Sequence, residues 1–557
     1  MKKVLSLVLS LVILLTAIIP ALSASAEDYV AITNAVKVPV IFISGDADPI
    51  YDAEGNKLLD LSDMSDPDNT SDNESDKEEL MESIANILYP FLVDGLLNDK
   101  WDNYYENLQK EIGELLGDAL LDCNGEVTNG SKIAQRRVDE VEYARTHDKK
   151  INGEYNYTSY RFWYDWRRDP IEVADDFNEY IKDVKESSHM DKVAVVGRCL
   201  GTSVVLAYVE KYGLDDICGI GFDGGISNGA EAISEIISGK FKLDGNAISR
   251  FLVDCNAFGL KIDSLISSSI DLLAKGHVLD SISEATKETI YYRVIKGVTS
   301  ALALSTAFTW PSYWAGVTAE DYETAKNYVF GPEGSEKRVE YAGLIAKIDN
   351  YDKTVRQHIP DIIKEIGDDA NTNLAIISKY GMQMFPCVES RNNLGDQFVS
   401  VKRSSFGATA STIYDTLSDD YISSVVAAGK GKYISPDKQV DASTCMYPDY
   451  TWFVKGASHT NWTDMENHLL MIATTHKGQM TVDDTEISQF MVFDNESKVM
   501  SKMTTDNCDC YNWAAKKTED KPETKLDRVF AFLKSLFNWL VLIFKRISPA
   551  KAAPAEG

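Results

Sequence analysis

Basic residues are scarce in this sequence: 56 Lys and Arg stand against 86 Asp and Glu, a formal net charge of −30. A chain this acidic is repelled by nucleic acid and by anionic surfaces, so a nucleic-acid partner is excluded. There is no C-x-x-C, and Cys508-Asp509-Cys510 has no nearby histidine, which argues against zinc. The eight cysteines are spread too widely for a small disulfide scaffold. The acidic stretch 60–82 lacks EF-hand spacing and a central glycine, so it reads as a solvated loop rather than a calcium site. The expectation is therefore no metal and no cofactor. Histidine is also rare, with seven in the chain, so candidates for a general base are few.

Long apolar runs are confined to the two ends. Lys2 and Lys3 precede an apolar run from Val4 to Ile19, and Ala24-Ser25-Ala26 offers a small-x-small cleavage site. Residues 1–26 thus have the pattern of a secretory signal peptide, and its removal would make the charge −32. The expected location is extracellular, held at the cell surface if the other end contacts membrane. That end, 526–547, follows a polar linker at 516–525 and places Asp527, Ala531, Lys534, Asn538 and Lys545 on one helical face. Its charge-free part, Ser535 to Phe544, falls well short of the roughly 18 apolar residues of a spanning helix. An amphipathic helix lying on a membrane surface fits it better.

Between these ends, 27–515 reads as one α/β domain. Val38–Ile43, Val193–Val196, Ile217–Phe222, Leu374–Ile377 and Thr451–Val454 are short apolar runs, separated by segments of helical periodicity. Strands of this kind belong to a mostly parallel sheet covered by helices on both faces. The long helical stretch at about 226–371, with the aromatic cluster Phe308 to Trp314, reads as an inserted lid over the active-site edge.

One strand runs into Gly197-Arg198-Cys199-Leu200-Gly201, and a helical pattern follows. Strand, sharp turn and helix in that order form a nucleophile elbow, here with Cys in place of the usual Ser. The flanking positions must be small, which the two glycines satisfy. The helix that follows points its N-terminal dipole and N–H groups at the nucleophile, favouring a thiolate and an oxyanion. Arg198 beside it is placed either to hold the thiolate or to pair with an acid.

An elbow nucleophile needs a base, and the base needs an orienting acid, in the chain order nucleophile, acid, histidine. His459 fits the base, because it lies in the loop after the strand Thr451–Val454. His147 and His189 precede Cys199; His468 and His476 fall in a later helical pattern. For the acid, Asp437 is the first choice and Asp441 the alternative. The oxyanion donors expected are the Leu200 amide and an amide of the loop after Val38–Ile43, where Gly45 and Asp46 sit.

Five segments in order resemble the lecithin:cholesterol acyltransferase-like branch of the α/β-hydrolases, from about Val38 to His468. Pro39-Val40-Ile41-Phe42-Ile43-Ser44-Gly45-Asp46 is similar to that family's opening, with Ser44 where a proline is usual. Tyr164-Asp165-Trp166-Arg167 resembles its Y-D-W-R motif, the most specific of the five. The elbow matches except at Cys199. Pro436 to Val440 with Ser443, and then Ser458-His459-Thr460-Asn461, resemble its G-D-x-x-V…S and H-x-N segments.

The resemblance implies hydrolysis or transfer of lipid acyl groups under a lid, with Cys199 as nucleophile, Asp437 as acid and His459 as base. The partner expected is a small-molecule or lipid acyl substrate. The alternative is a catalytically inactive chain of the same fold that serves as a binding or surface protein.

Overall fold

The computed structural model describes residues 38–45, 49–55, 57–59, 90, 94, 100–116, 119–133, 150–151, 154–155, 158–226, 228–240, 242, 247, 250, 251, 254, 293, 307–386, 388–459, 461, 463–494 and 497–508. The expected signal segment 1–26, the acidic stretch 60–82, Asp46, the expected linker 516–525 and the C-terminal segment 526–547 lie outside the described residues.

Eight strands build the main sheet: β1 (Pro39–Ile43), β2 (Thr158–Phe162), β3 (Val193–Arg198), β4 (Ile217–Asp223), β5 (Asn373–Tyr380), β6 (Thr451–Lys455), β7 (Phe490–Asp494) and β8 (Val499–Lys502). Their spatial order is β8-β7-β6-β5-β4-β3-β1-β2, parallel throughout except for the antiparallel β7–β8 hairpin. The fold is α/β with a mostly parallel central sheet. Five of the strands are the apolar runs recognised above; β2, β7 and β8 were not anticipated.

Both sheet faces are covered, which is why these strands are apolar on consecutive residues rather than alternate ones. Alternation sorts them: Ile41, Ile43, Val195, Ile220, Phe222 and Ile376 face one core, and Val40, Ala194, Val196, Ala375, Ile377 and Val454 the other. On the first face lie α1 (Pro170–Ser188), α2 (Gly201–Tyr212) and a third helix, Ile359–Asp368, through Phe177, Ile181, Leu206 and Ile363. The last of these helices falls inside the stretch expected to be lid. It packs in the main core, together with Trp310, Ala315, Tyr351 and Val355 of the same stretch.

The second face is covered by the helix Asp464–Thr475. Thr463 and Glu466 form a reciprocal capping box at its start, of the kind worth about 1 kcal/mol. Leu469 and Leu470 are fully buried beneath it. The helix sits so close to β4 that a Cβ on Gly219 would stand 2.0 Å from the Thr474 carbonyl oxygen. The glycines in Ile217-Cys218-Gly219-Ile220-Gly221 are therefore the room this helix needs.

Between β4 and β5 the stretch expected to be lid holds the helices Glu231–Ile237, Pro311–Ala315, Tyr322–Phe330, Glu336–Glu340 and Ala342–Thr354 among the described residues. It has its own apolar cluster around Trp314, Phe330, Leu344 and Ile348. Cys123, Cys199, Cys218, Cys445 and Cys508 take part in no disulfide. Among the described residues no helix is long and apolar enough to cross a membrane.

Candidate active site

In an open parallel sheet, ligands bind at the carboxyl ends of the strands, where the direction of winding reverses. Here that point lies between β1 and β3, because the chain leaves β1 outward to β2 and returns to β3 on the other side. Cys199 follows β3 immediately, and its backbone is left-handed at φ 48°. Few L-residues adopt that conformation, and it is the sharp turn an elbow requires. The Cys199 carbonyl accepts from Thr202 N at 3.1 Å and from Thr202 Oγ1 at 2.6 Å, which starts α2 directly behind the sulfur.

The two glycines of the elbow have distinct uses. A Cβ on Gly201 would lie 2.3 Å from the Ile43 carbonyl oxygen, so this residue allows α2 to pass the end of β1. A Cβ on Gly197 would meet Val205 at 3.1 Å and Thr202 at 3.2 Å, so this glycine admits the first turn of the same helix. Across the crevice, a Cβ on Gly45 would come within 3.0 Å of Cys199 Cβ, 3.1 Å of its sulfur and 3.1 Å of Leu200 N. The backbone at Gly45 thus flanks both the sulfur and the Leu200 amide, as an oxyanion site needs.

His459 is 3% exposed and lies in the loop after β6. Its Nδ1 is 2.9 Å from Asp396 Oδ2, and its backbone N donates to the Asp396 carbonyl at 2.9 Å. Asp396 is fully buried. Its Oδ1 accepts from Phe398 N at 3.1 Å and Val399 N at 2.9 Å, which fixes the carboxylate in the plane of its own turn. The ring of Phe398 packs on the His459 ring at 5.3 Å.

Nε2 is buried and meets no nitrogen or oxygen partner among the described residues. The other group acting on the ring is the Cys199 thiol. Burial works to lower the imidazole pKa. The Asp396 charge, then the charge of Cys199 and the hydrogen bond with Asp396, outweigh it and hold the pKa well above the usual histidine value.

Asp437 and Asp441, the acids expected from the sequence, are not with His459. Asp437 takes the Lys455 ammonium at 2.9 Å, the Tyr380 hydroxyl at 3.1 Å and the Ser435 hydroxyl at 2.5 Å. Asp441 caps Ser443 N at 2.9 Å and accepts from the Tyr421 hydroxyl at 2.9 Å. Both are saturated structural carboxylates. The strand before β6 is β5, and the carboxylate that meets His459 comes from the excursion that follows β5. A signal was present: Gly395-Asp396-Gln397-Phe398-Val399-Ser400 spells G-D-x-x-V-S more closely than Pro436 to Val440 does.

Tyr164-Asp165-Trp166-Arg167 supports the site from below. The Tyr164 hydroxyl donates to the Ser44 carbonyl at 2.7 Å and so holds the loop bearing Gly45. Arg167, with no exposed surface, grips Asp165 through two nitrogens, Nε to Oδ1 at 2.9 Å and a terminal nitrogen to Oδ2 at 2.6 Å. It also donates to the Ala119 carbonyl at 2.9 Å. Trp310 donates to that same carbonyl at 3.1 Å and meets Trp166 edge-on at 5.0 Å. The motif therefore ties the cap aromatics to the body. Arg198 does not turn to a surface acid: it pairs with buried Asp223 at 3.1 Å.

Cys199 itself borders an apolar cluster of Leu200, Ile226, Ala230 and Val399, joined by Ile233, Tyr313 and Phe398. No family model and no curated protein matches the chain. Among solved structures, it is similar to a chain of "The crystal structure of Tle4-Tli4 complex", with 13% identity over 63% of this chain and 77% of that chain, and a TM-score of 0.26.

Proposed function

We propose that this chain is an exported α/β-hydrolase-type acyl hydrolase or acyltransferase that works through Cys199, His459 and Asp396. The observation that carries the reading is the buried His459–Asp396 pair at 2.9 Å, behind a cysteine held in a left-handed turn. It is joined by the sequence resemblance to the lecithin:cholesterol acyltransferase-like branch, and by the signal segment for export.

The Cys199 sulfur attacks an acyl carbonyl carbon, and its proton resides on His459 Nε2. The carbonyl oxygen becomes an oxyanion that the Leu200 amide and the backbone near Gly45 receive. On collapse, the bond to the leaving alcohol breaks, His459 returns the proton to it, and the acyl group remains on sulfur as a thioester. Water or an acceptor alcohol then gives a proton to His459 and attacks the thioester, which regenerates the thiol. Asp396 holds the ring by Nδ1 throughout and stabilises the imidazolium. The apolar cluster beside Cys199 suits the hydrocarbon of an acyl chain. The cap helices, with Tyr313 facing that cluster, would exclude water from the intermediate.

The test is alkylation of Cys199 by iodoacetamide across pH, read by peptide mass spectrometry, with a His459→Ala control. An apparent thiol pKa well below the free value of about 8.5, lost in the control, is expected. Slow labelling at an ordinary thiol pKa in both proteins would end this reading and favour a binding role. Ester hydrolysis by the wild type should disappear in Cys199→Ala.

A further inference from the structure

Beneath the carboxyl ends of β3, β4 and β5 lies a charge network that the chemistry above does not use. The side chains of Lys379, Asp223 and Glu466 are all fully buried. The Lys379 ammonium stands 3.2 Å from Asp223 Oδ1 and 3.4 Å from Glu466 Oε1, and donates to the Asn461 carbonyl at 2.8 Å. Asp223 receives Arg198 on its other oxygen, and Arg198 also bonds Asn467 on the helix after the histidine loop. Glu466 closes the capping box by accepting from Thr463 N at 2.6 Å.

Taking these charges out of water is costly, and buried ion pairs are often replaceable by apolar groups without loss of stability. Their value lies in geometry, since the network reaches residues within two positions of Cys199 and His459. Arg198 precedes Cys199. Asp223 precedes Gly224, whose added Cβ would meet His459 Nδ1 at 3.5 Å and Asp396 Oδ2 at 3.6 Å. Asn461 lies two residues after His459, and its N–H closes a turn on the Ser458 carbonyl at 3.2 Å.

We infer that Lys379 is the positioning residue of this site: it clamps the His459 loop to β5 and, through Asp223 and Arg198, to the end of the nucleophile strand. The inference rests on the proposed Cys199–His459–Asp396 triad. Lys379 touches no reacting atom. It acts by keeping the imidazole within reach of the sulfur, where a misplacement of about 1 Å costs on the order of 100-fold in rate.

The experiment uses the full chain with Lys379→Met and Glu466→Gln. The latter preserves the capping hydrogen bond and the side-chain shape but removes one counter-charge of Lys379. Cys199 alkylation by iodoacetamide, kcat and KM on p-nitrophenyl butyrate, and Tm are measured for each. Lys379→Met should lose the His459-dependent part of the alkylation rate and about 100-fold in kcat, with KM little changed. Glu466→Gln should lose about tenfold in kcat. A residue that is merely structural would lower Tm and leave alkylation and kcat at lower temperature untouched, and that result overturns the inference. If Lys379→Met does not fold, Glu466→Gln decides alone: the loss in kcat upholds the inference and wild-type values overturn it. If His459→Ala has no effect on alkylation, the triad itself is wrong; if it does and the two variants behave as wild type, only the role of Lys379 falls.

Discussion

Asp396→Asn changes one atom of consequence. Oδ1 of the new amide can still accept from Phe398 N and Val399 N, which sit at 3.1 and 2.9 Å, so the turn that carries it is retained. At the other position a carboxylate oxygen 2.9 Å from His459 Nδ1 becomes an NH₂ donor. That donor is satisfied only if Nδ1 is unprotonated, which places the ring hydrogen on Nε2, the atom that must receive the thiol proton. The amide also removes the Asp396 charge, the largest influence opposing the burial that lowers the imidazole pKa. The thiolate–imidazolium pair then gives way to a neutral thiol and a neutral ring. In serine triads the same exchange lowers kcat by about 10⁴. A cysteine is intrinsically more nucleophilic and partly ionised near neutral pH, so the loss expected here is smaller, about 10²–10³ in kcat. Alkylation by iodoacetamide should move to an apparent thiol pKa at or above about 8.5. The assay is kcat on a p-nitrophenyl ester beside the alkylation profile, with Asp437→Asn as the paired variant. Asp437→Asn breaks a buried pair with Lys455 and should lower Tm while leaving kcat within a few-fold. Activity of Asp396→Asn within threefold of wild type, on the order of 0.6 kcal/mol, would refute the reasoning, as would equal losses in the two variants.

Gly45→Ala would put a methyl group about 3 Å from the Cys199 sulfur and the Leu200 amide and should cost on the order of 10²-fold in kcat by filling the oxyanion site; full activity in that variant would place the site elsewhere. Arg167→Lys gives up the two-nitrogen grip on Asp165 in a fully buried setting and should lower stability by about 2–3 kcal/mol, read as a fall in Tm; an unchanged Tm would contradict the bracing role given to the motif. Because the folded-state pKa of His459 is raised above its unfolded value, the stability this linkage supplies is fully present below about pH 6.5 and is lost as pH rises through the raised pKa. The urea midpoint of the wild type should therefore fall more between pH 6 and pH 9, each approximate, than that of Asp396→Asn; parallel slopes would show that the pair is not the cause.

How far the sequence could be read depended on the physical reach of each signal. β1, β3, β4, β5 and β6 are buried on both faces, so their apolar runs stand out against the helical segments between them. β2, with Thr158, Ser159 and Arg161, is a more polar edge strand and gave no such contrast. The elbow was legible because strand, turn and helix are contiguous, and His459 because its loop directly follows β6. Asp396 was missed for the opposite reason. It belongs to an excursion between β5 and β6 that includes a short antiparallel pair and several helical turns, and proximity to β6 favoured Asp437. Sequence distance was a poor guide where a long loop returns a residue to the sheet edge. The Lys379 network was illegible too, since its members are scattered from 198 to 467 and only the fold brings them together.

The left-handed backbone of Cys199 has a further consequence. A side chain there carries a conformational cost on the order of 1–3 kcal/mol that glycine would not. Cys199→Gly should therefore fold at least as firmly as the wild type while having no sulfur at all. The wild type is thus expected to unfold at a lower midpoint than this variant one substitution away. The difference between those two proteins, read as a shift in unfolding midpoint, is a direct measure of what holding a reactive atom at the tip of a strand demands of the scaffold beneath it.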